Sequence, residues 1–366
     1  KTDPTTPERQ PGTMASPAST ALGTAVNLLT GASVSHHPVL MQCSLGPFAV
    51  EKDVIVEWNG LKVPSNYDCD IFNNNTAWGN HYYFSEQASR WTLCWQYFAA
   101  LRSGLRAMLA PLPIVDEEYS ELVATYQSVM RAKREQPFVF AELGARWGTW
   151  AARAAAFVRA RRPELAYEIH MVEAYAESCE AIHHVMALNH FDNFTVACER
   201  ANAQNLDHWL TTKSHVDLID FDIQGAEHDT IRQTISALES KVYRMTVGTH
   251  GGPRRHEETK HFLLDRGWIL ISEVPHAKVS HTGPGGCVEG GFRGRSGPRS
   301  TWRVTAHNRS VFDWDRVLRE GCYASTAKGP VSQFDGELIV DNPKFVARER
   351  AMRMDDVFLR VDDLKD

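Results

Sequence analysis

Acidic and glycine residues sit together after one apolar run in the middle of the chain. The run PFVFAEL contains Glu142, and Gly144 and Gly148 follow it. Glycines in the turn after a strand allow the backbone to approach a ligand closely. A carboxylate there repels phosphate and suits a ligand that is cationic or carries an amino acid. The spacing also differs from GxGxxG, so a dinucleotide pyrophosphate is the poorer fit.

A second acid follows at the end of the next apolar run, YEIHMVEA, where Glu173 stands one strand–helix–strand unit after Glu142. An acid in that position can accept hydrogen bonds from both hydroxyls of a ribose. The alternative is a solvated loop glutamate. Together the two acids favour a nucleoside ligand without a pyrophosphate. S-adenosylmethionine meets this description, because its sulfonium and amino groups are cationic.

The segment VDLIDFDIQGAE concentrates acids at a further strand end, with Asp217, Asp220, Asp222 and Glu227. Alternation along a strand puts Asp220 and Asp222 on one face, and charge on a central strand is costly unless it is paired or lies at the open edge. Asp222 is therefore the better candidate. Gly225 would allow a sharp turn into the following helix. Glu227 either supplies negative charge to that helix N-terminus or reaches the site.

His250 ends the run VGTHGG and is expected at the same edge as the candidate acids. Its position before two glycines is compatible with a general base or a ligand, and equally with a structural histidine. Arg254 and Arg255 come next. They could neutralise an acidic substrate or simply be solvated.

The elements that position these residues form a regular alternation from Phe138 to Pro275. Apolar runs rich in β-branched and aromatic residues are separated by helical stretches, which predicts an α/β fold with a doubly wound, Rossmann-like parallel sheet covered on both faces. The runs are PFVFAEL, YEIHMVEA, FTVACERA, VDLIDFDI, YRMTVGTH and WILISEVP.

The flanking regions have a different character. Residues 1–35 are rich in Pro, Thr, Ser and Ala and are predicted to be a disordered tail. Residues 36–135 predict an N-terminal α+β cap, with a hairpin at Asn59-Gly60, an aromatic-rich helix over 91–110 and an amphipathic helix over 116–134. Its aromatic residues favour a packed subdomain over a ligand cage.

The C-terminal third begins with a glycine-rich stretch over residues 276–300, predicted to be a long loop that is either a functional lid or disordered. Residues 301–308 predict a strand returning to the sheet, and residues 351–366 a C-terminal tail. The loop region has a local basic character from Arg293, Arg295, Arg299 and Arg303.

The series FAELGARWG, MVEA, VDLIDFDIQGAE, VGTH and FLLDRGWIL resembles the FkbM-type S-adenosylmethionine-dependent methyltransferases. The match runs in order from about Phe138 to Pro275, with a family-like tail at SQFDGELIVDNPKF. The most specific part is the fourth motif, where the family reads roughly VDLIKIDVEGAE. Asp220 stands where the family usually has lysine, and Gln224 where it usually has glutamate. These two departures could alter substrate choice or the catalytic polar network.

The resemblance implies a class I methyltransferase domain over residues 136–350, built on a seven-stranded, mostly parallel sheet with a final antiparallel strand. The implied reaction is methyl transfer from S-adenosyl-L-methionine, usually to oxygen. The acceptor would be a hydroxyl on a sugar, lipid or other small molecule. The implied cofactor-binding residues are Glu142, Gly144 and Gly148 at the methionine part, Glu173 at the ribose, Ala201 and Asn202 near the adenine, and Asp222.

Direct methyl transfer needs the acceptor oxygen to be held in line and its proton removed, and we predict His250 or Asp222 as the catalytic base. Asp222 could also help to hold a divalent cation that orients a diol, although no ligand spacing demands a metal. Two other functions stay open. One is a noncatalytic cofactor-binding or scaffold protein on the same fold. The other, a nicotinamide oxidoreductase, is disfavoured because GxGxxG is missing.

Composition limits the remaining choices. The 39 basic and 45 acidic side chains leave a net charge of −6, which gives no global attraction to nucleic acid or to an anionic membrane. No apolar stretch is long enough to span a bilayer. The seven cysteines are odd in number and contain no CxxC pair, so reduced thiols are expected. A cytoplasmic location is also expected, with a targeting segment upstream of Lys1 as the open alternative. Neither the methyl acceptor nor the oligomeric state can be assigned from these features.

Overall fold

A computed structural model of the chain describes residues 25–26, 33–34, 38–42, 45–68, 88–110, 112–113, 119–274, 277–280, 331–334 and 336–346. Within these ranges, every helix is too short or too polar to cross a membrane.

The described residues before 136 form short strands and four helices. The predicted hairpin at Asn59-Gly60 is confirmed, and Gly60 takes a positive φ of 83° in its turn. The aromatic-rich helix ends at Arg102, earlier than predicted, because Gly104 turns the chain at a φ of 69°. The elements are β1 (Ala25–Val26), β2 (Ser33–Val34), α1 (Pro38–Met41), β3 (Phe48–Ala49), β4 (Val54–Val56), β5 (Lys62–Pro64), α2 (Ser65–Asp68), α3 (Ala88–Arg102), β6 (Ala107–Met108) and α4 (Tyr119–Arg131).

The centre of the molecule is a seven-stranded sheet, and every predicted apolar run supplies one of its strands. The strand order is β12-β15-β11-β10-β7-β8-β9, in which β15 alone runs antiparallel to its neighbours. This confirms the predicted fold class. The strands are β7 (Phe138–Leu143), β8 (Tyr167–Val172), β9 (Phe194–Ala197), β10 (Val216–Phe221), β11 (Val242–Thr249), β12 (Ile269–Val274) and β15 (Gly336–Asp341).

Helices cover both faces of the sheet, which explains why its central strands β7 and β10 are buried along their whole length. Along β7, Phe138 and Phe140 join one buried cluster while Val139 and Ala141 join another, as alternation along a strand requires. One helix, α7, follows β9 and was not predicted. The helices from this part of the chain are α5 (Thr149–Arg161), α6 (Ala176–Leu188), α7 (Ala203–Thr211), α8 (Glu227–Lys241), α9 (Pro253–Asp265) and α10 (Pro343–Val346).

The N-terminal segment shares the first of these buried clusters with the sheet. The ring of Tyr126 on α4 lies between Trp58 and Phe157, with centroid distances of 5.4 Å and 4.2 Å. Asn59 donates a buried hydrogen bond of 2.8 Å to the Tyr126 hydroxyl. The segment is therefore packed against α5 through side chains from both its hairpin and its last helix.

A buried ion pair joins the same two parts of the chain. Arg153 on α5 donates two hydrogen bonds to the carboxylate of Glu57, at 2.6 Å and 3.0 Å, and both side chains are almost fully buried. The guanidinium also lies 5.3 Å from the ring of Trp147 and 5.2 Å from that of Trp150. Bidentate pairing satisfies both charges away from water.

The C-terminal predictions are partly corrected. Four residues of the predicted loop form strand β13 (Ala277–Ser280), which pairs antiparallel with β14 (Val331–Phe334). The rest of that loop and the predicted strand over 301–308 lie outside the described residues. The antiparallel strand that completes the sheet is β15, within the family-like tail.

The expectation of reduced thiols is wrong for three of the described cysteines, because Cys94, Cys179 and Cys198 are disulfide-bonded. Cys179, on α6, forms a disulfide with Cys198, which directly follows β9. Nothing in the spacing of scattered cysteines shows which of them a fold brings together, because the pairing depends on how β8, α6 and β9 pack.

Candidate functional site

The candidate residues collect where β7 and β10 lie side by side, because the chain fills one side of the sheet from β7 to β9 and then crosses to β10. Ligands of open α/β sheets bind at the carboxyl ends of strands at such a reversal. The backbones of the two strand ends touch here. Asp222 N donates to Leu143 O at 2.9 Å, and a Cβ on Gly144 would come within 1.8 Å of Asp222 O. Gly144, at a φ of 87°, is therefore required for the shape of this edge.

Gly148 has a comparable role at the start of α5. Its φ is 85°, and a Cβ there would meet Met171 Sδ at 3.2 Å. Both candidate glycines thus occupy backbone positions that disfavour other residues. Their contact with a cofactor stays a prediction.

Glu142 faces the protein interior rather than the open edge. Its carboxylate accepts hydrogen bonds from Trp150 N at 2.8 Å and Ala151 N at 2.9 Å, at the N-terminus of α5, and the residue is 1% exposed. Burial raises the pKa of Glu142 to about 8, although the two backbone donors and Arg153 oppose that rise. The carboxyl group of Glu142 therefore satisfies two backbone N–H groups at the α5 N-terminus and does not face the open edge.

This environment predicts a pH dependence of stability. Because the pKa of Glu142 rises from 4.5 to about 8 on folding, the folded state binds this proton more tightly than the unfolded state. Its contribution to the free energy of unfolding is therefore full below pH 4.5 and declines as the pH rises toward about 8. Urea unfolding of the wild type and Glu142→Gln should show the wild type losing stability relative to the variant over this range. Parallel curves would show that Glu142 does not titrate there.

Glu173 ends β8 at the same edge and is buried. Its carboxylate accepts hydrogen bonds from two loops, with Arg146 N at 2.7 Å and Tyr175 N at 2.9 Å. Each oxygen retains acceptor capacity for a ribose hydroxyl. The neighbouring Tyr175 is 60% exposed, and its large apolar ring was not recognised as a candidate from the sequence.

His250 and Glu227 form a hydrogen-bonded pair at the end of β11. His250 Nδ1 lies 2.8 Å from Glu227 Oε1, and the Glu227 side chain is only 2% exposed. Glu227 also accepts hydrogen bonds from Ile223 N and Gly225 N, which fix its carboxylate. In this arrangement His250 Nδ1–H donates to the Glu227 carboxylate, and Nε2 of the same ring faces the site. Glu227 thus reaches the site, one of the two roles left open by the sequence.

The other ring nitrogen faces Gln224 and Asp222. Gln224 Nε2 lies 2.9 Å from both His250 Nε2 and Asp222 Oδ1, while His250 Nε2 is 3.4 Å from Asp222 Oδ1. An amide nitrogen can only donate, so Nε2 of the neutral imidazole accepts. His250, Asp222 and Gln224 therefore share one polar network. Gln224 is the residue that stands in place of the glutamate usual in the FkbM-type pattern.

Asp222, Glu227 and His250 are close enough to hold a metal ion in common. However, Glu227 already accepts three hydrogen bonds through Oε1 and one through Oε2. Asp222, whose side chain is 45% exposed, and His250 Nε2 both already interact with the Gln224 amide. The hydrogen bonding fits an oriented base better than a closed metal centre.

Other candidate residues have structural partners. Asn202 caps α7 by accepting from Gln204 N at 2.9 Å and Asn205 N at 3.1 Å. Ala201, before it, packs on the second buried cluster. Asp220 is buried and accepts from Thr246 Oγ1. Three other residues noted in the sequence also have partners close to them. Asp217 accepts a hydrogen bond from Val139 N, Arg255 forms an ion pair with Asp229, and Arg254 forms one with Glu258.

Part of this chain is similar in sequence to a curated protein. A protein of Jannaschia sp. (strain CCS1), named "Putative methyltransferase", is 25% identical over 203 residues, which cover 43% of this chain and 71% of the relative. No family model matches the chain. The FkbM assignment accordingly stays a resemblance.

Solved structures with a related arrangement superpose only in part. A SAM-dependent methyltransferase from Agrobacterium tumefaciens is 12% identical, with a TM-score of 0.37 and coverage of 65% of this chain and 66% of its own. A precorrin-6y C5,15-methyltransferase from Geobacter metallireducens GS-15 is 15% identical, with a TM-score of 0.32 and coverage of 46% and 80%. Fibrillarin from Aeropyrum pernix, solved with S-adenosyl-L-methionine, is 14% identical, with a TM-score of 0.30 and coverage of 42% and 67%.

Proposed function

We propose that this chain is an S-adenosylmethionine-dependent methyltransferase that methylates a hydroxyl oxygen on a sugar, lipid or other small molecule. The observation that carries the proposal is the His250–Glu227 pair, placed beside Asp222 at the reversal point of the sheet. An oriented base at that edge is what transfer to a hydroxyl requires. The similarity to the Jannaschia relative supports the general activity.

The edge has features that fit the cofactor. The tight turn at Gly144 brings backbone close to the cleft, and Glu173 offers acceptor capacity to a ribose. The exposed ring of Tyr175 is next to Glu173 and could cover an adenine face. These three residues would hold the nucleoside and orient it across the ends of β7 and β8.

The reaction would use residues on the other side of the cleft. S-adenosylmethionine would supply a methyl group already activated by its sulfonium. His250 Nε2 would accept the proton of the acceptor hydroxyl, while Glu227 keeps the imidazole oriented and stabilises its charged form. To reach Nε2, the acceptor hydroxyl must replace the hydrogen bond from Gln224.

That contact also motivates a second candidate function. Gln224 occupies the lone pair that a base needs, so a noncatalytic cofactor-binding protein would look the same in this state. Retained cofactor binding without methyl transfer to any acceptor would favour this second reading.

Calorimetric titration with S-adenosylhomocysteine tests the proposal. We expect saturable binding to the purified chain, and no heat of binding at millimolar ligand would contradict it. Methyl transfer from labelled cofactor should then be screened against glycans, lipids, small hydroxyl compounds and mixed-sequence RNA. Transfer to RNA would replace our acceptor class, and turnover unaffected by EDTA would support a reaction that needs no divalent cation.

Replacing Glu173 by alanine should weaken binding of S-adenosylhomocysteine. Loss of hydrogen bonds to a charged acceptor is worth about 1.5–3 kcal/mol, which corresponds to roughly 10- to 150-fold in the dissociation constant. Glu177→Ala is the matched control, since Glu177 is an exposed glutamate in the first turn of α6. Unchanged affinity in Glu173→Ala would show that the ribose does not bind there.

The cytoplasmic location stays a prediction, and the disulfide between Cys179 and Cys198 gives a way to test it. Disulfides persist mainly in oxidising compartments. Thiol trapping in intact cells should find both cysteines reduced if the protein is cytoplasmic, and joined if it is exported.

A further inference from the structure

The disulfide between Cys179 and Cys198 joins the start of α6 to the end of β9, beside the predicted ribose acid. Cys179 lies in the first turn of α6, and its Sγ is 3.7 Å from Glu173 O. Cys198 directly follows Ala197, whose carbonyl accepts a hydrogen bond of 3.0 Å from Glu173 N. The backbone of Glu173 therefore contacts the chain next to both halves of the disulfide.

The disulfide also holds one end of a short segment, residues 198–202, which leads from β9 into α7. Ala201 is half-buried, and the other residues of the segment are exposed. The other end is held at α7, where the side-chain amides of Asn202 and Asn205 donate to Arg200 O at 3.1 Å and 2.8 Å. The disulfide thus restricts the path by which this segment leaves the sheet. The sequence resemblance predicts that the same segment lies near the adenine.

The two sulfur atoms of the disulfide differ in accessibility. Cys179 is only 3% exposed, whereas Cys198 is an exposed residue. An attacking thiolate must reach one of the two sulfurs, and exposed disulfides are among the labile ones. We therefore expect reduction to start at Cys198.

A dithiol reductant completes the reaction in two steps. Its first thiolate bonds to Cys198 Sγ as the S–S bond breaks, and Cys179 leaves as a thiolate that takes up a proton. The second thiolate of the reductant then attacks the mixed disulfide, which releases Cys198 as a thiolate that is protonated in turn. The reductant leaves as a cyclic disulfide, and two electrons and two protons have passed to the protein. The Cys179 thiol can donate to Glu173 O, which Sγ already contacts.

We propose that the Cys179–Cys198 disulfide is a redox switch for the cofactor site, an inference that rests on the proposed function. In the oxidised protein, segment 198–202 is held in place before the nucleoside binds. In the reduced protein the segment gains conformational freedom and must be ordered when the ligand binds. Ordering the backbone of roughly one residue weakens binding by about 5- to 30-fold. Protein dithiols are the class of partner that would operate the switch.

The test compares the full chain before and after treatment with dithiothreitol. Calorimetry measures the affinity for S-adenosylhomocysteine, and limited digestion with trypsin measures cleavage after Arg200, within the segment. The control is the double variant Cys179→Ser/Cys198→Ser, which lacks this bond in both conditions. Cys94 is also disulfide-bonded, so an effect of the reductant through that bond would persist in the double variant.

For the wild type, we expect reduction to weaken binding by about 5- to 30-fold and reoxidation to restore it. Cleavage after Arg200 should become about 10-fold faster on reduction, because proteolysis follows the population of open states. The double variant should behave like the reduced wild type in both conditions.

Two outcomes would contradict the inference alone. One is equal affinity of the oxidised and reduced wild type, and the other is a response of the double variant to dithiothreitol as large as that of the wild type. Absence of binding in both redox states would overturn the proposed function as well.

Discussion

His250→Ala is expected to lower methyl transfer about 10²- to 10⁴-fold, the range that a positioned general base contributes. The imidazole is the group whose Nε2 faces the edge while its Nδ1 is fixed on buried Glu227. Binding of S-adenosylhomocysteine should change little, because His250 is not among the candidate cofactor residues and most of them follow β7, β8 and β9. Single-turnover kinetics with saturating cofactor measures the effect.

A matched control is His261→Ala, since His261 is 69% exposed on α9 and away from this network. Glu227→Gln should lower kcat at nearly unchanged cofactor affinity, as expected for a residue that positions the base. If His250→Ala turns over like the wild type, His250 is not the base and Asp222 becomes the candidate to replace next.

The second large effect concerns stability. Arg153→Ala should lower the free energy of unfolding by about 3–5 kcal/mol, because it leaves the Glu57 carboxylate buried without its guanidinium partner. Replacing both residues by methionine should restore much of this loss, since an apolar pair removes the desolvation cost of two charges. Urea unfolding followed by both circular dichroism and tryptophan fluorescence provides the measurement.

Arg266→Ala is the control, because the Arg266–Glu239 pair is partly exposed and such pairs contribute about 0–1 kcal/mol. In Arg153→Ala the two spectroscopic transitions should shift together, as the N-terminal segment and the sheet share one buried cluster. Two separate transitions would instead indicate that the residues before 136 unfold independently of the sheet.

The sheet could be predicted from the sequence because its strands are buried on both faces. Runs such as FVFAEL and VDLIDF are mostly apolar on both faces despite their acids, and they are separated by helices of sufficient length to cross over. Helix α7 was not predicted, because AQNLDHWLT has many polar residues and buries only Leu206 and Leu210. Asn202 caps this helix, and its place near the adenine stays a prediction.

The sheet edge at which each candidate residue lies could be predicted from the sequence, but the direction of its side chain could not. Glu142, Glu173, Asp222 and His250 all come to one edge, since carboxyl ends of parallel strands meet there. The sequence does not show that the Glu142 side chain turns to α5, because that depends on where the helix N-terminus lies. The partnership of Glu227 with His250 joins residues on different elements and has no local signal.

The backbone contact between Gly144 and Asp222 bears on how such a protein acquires new substrates. The two strand ends touch through main-chain atoms, and a Cβ on Gly144 would come within 1.8 Å of Asp222 O. Under the proposed function, a substitution of Gly144 therefore damages the fold before it alters acceptor choice. Changes in the loops around this edge would then be the route to a different methyl acceptor, while the residues that bind the cofactor stay the same.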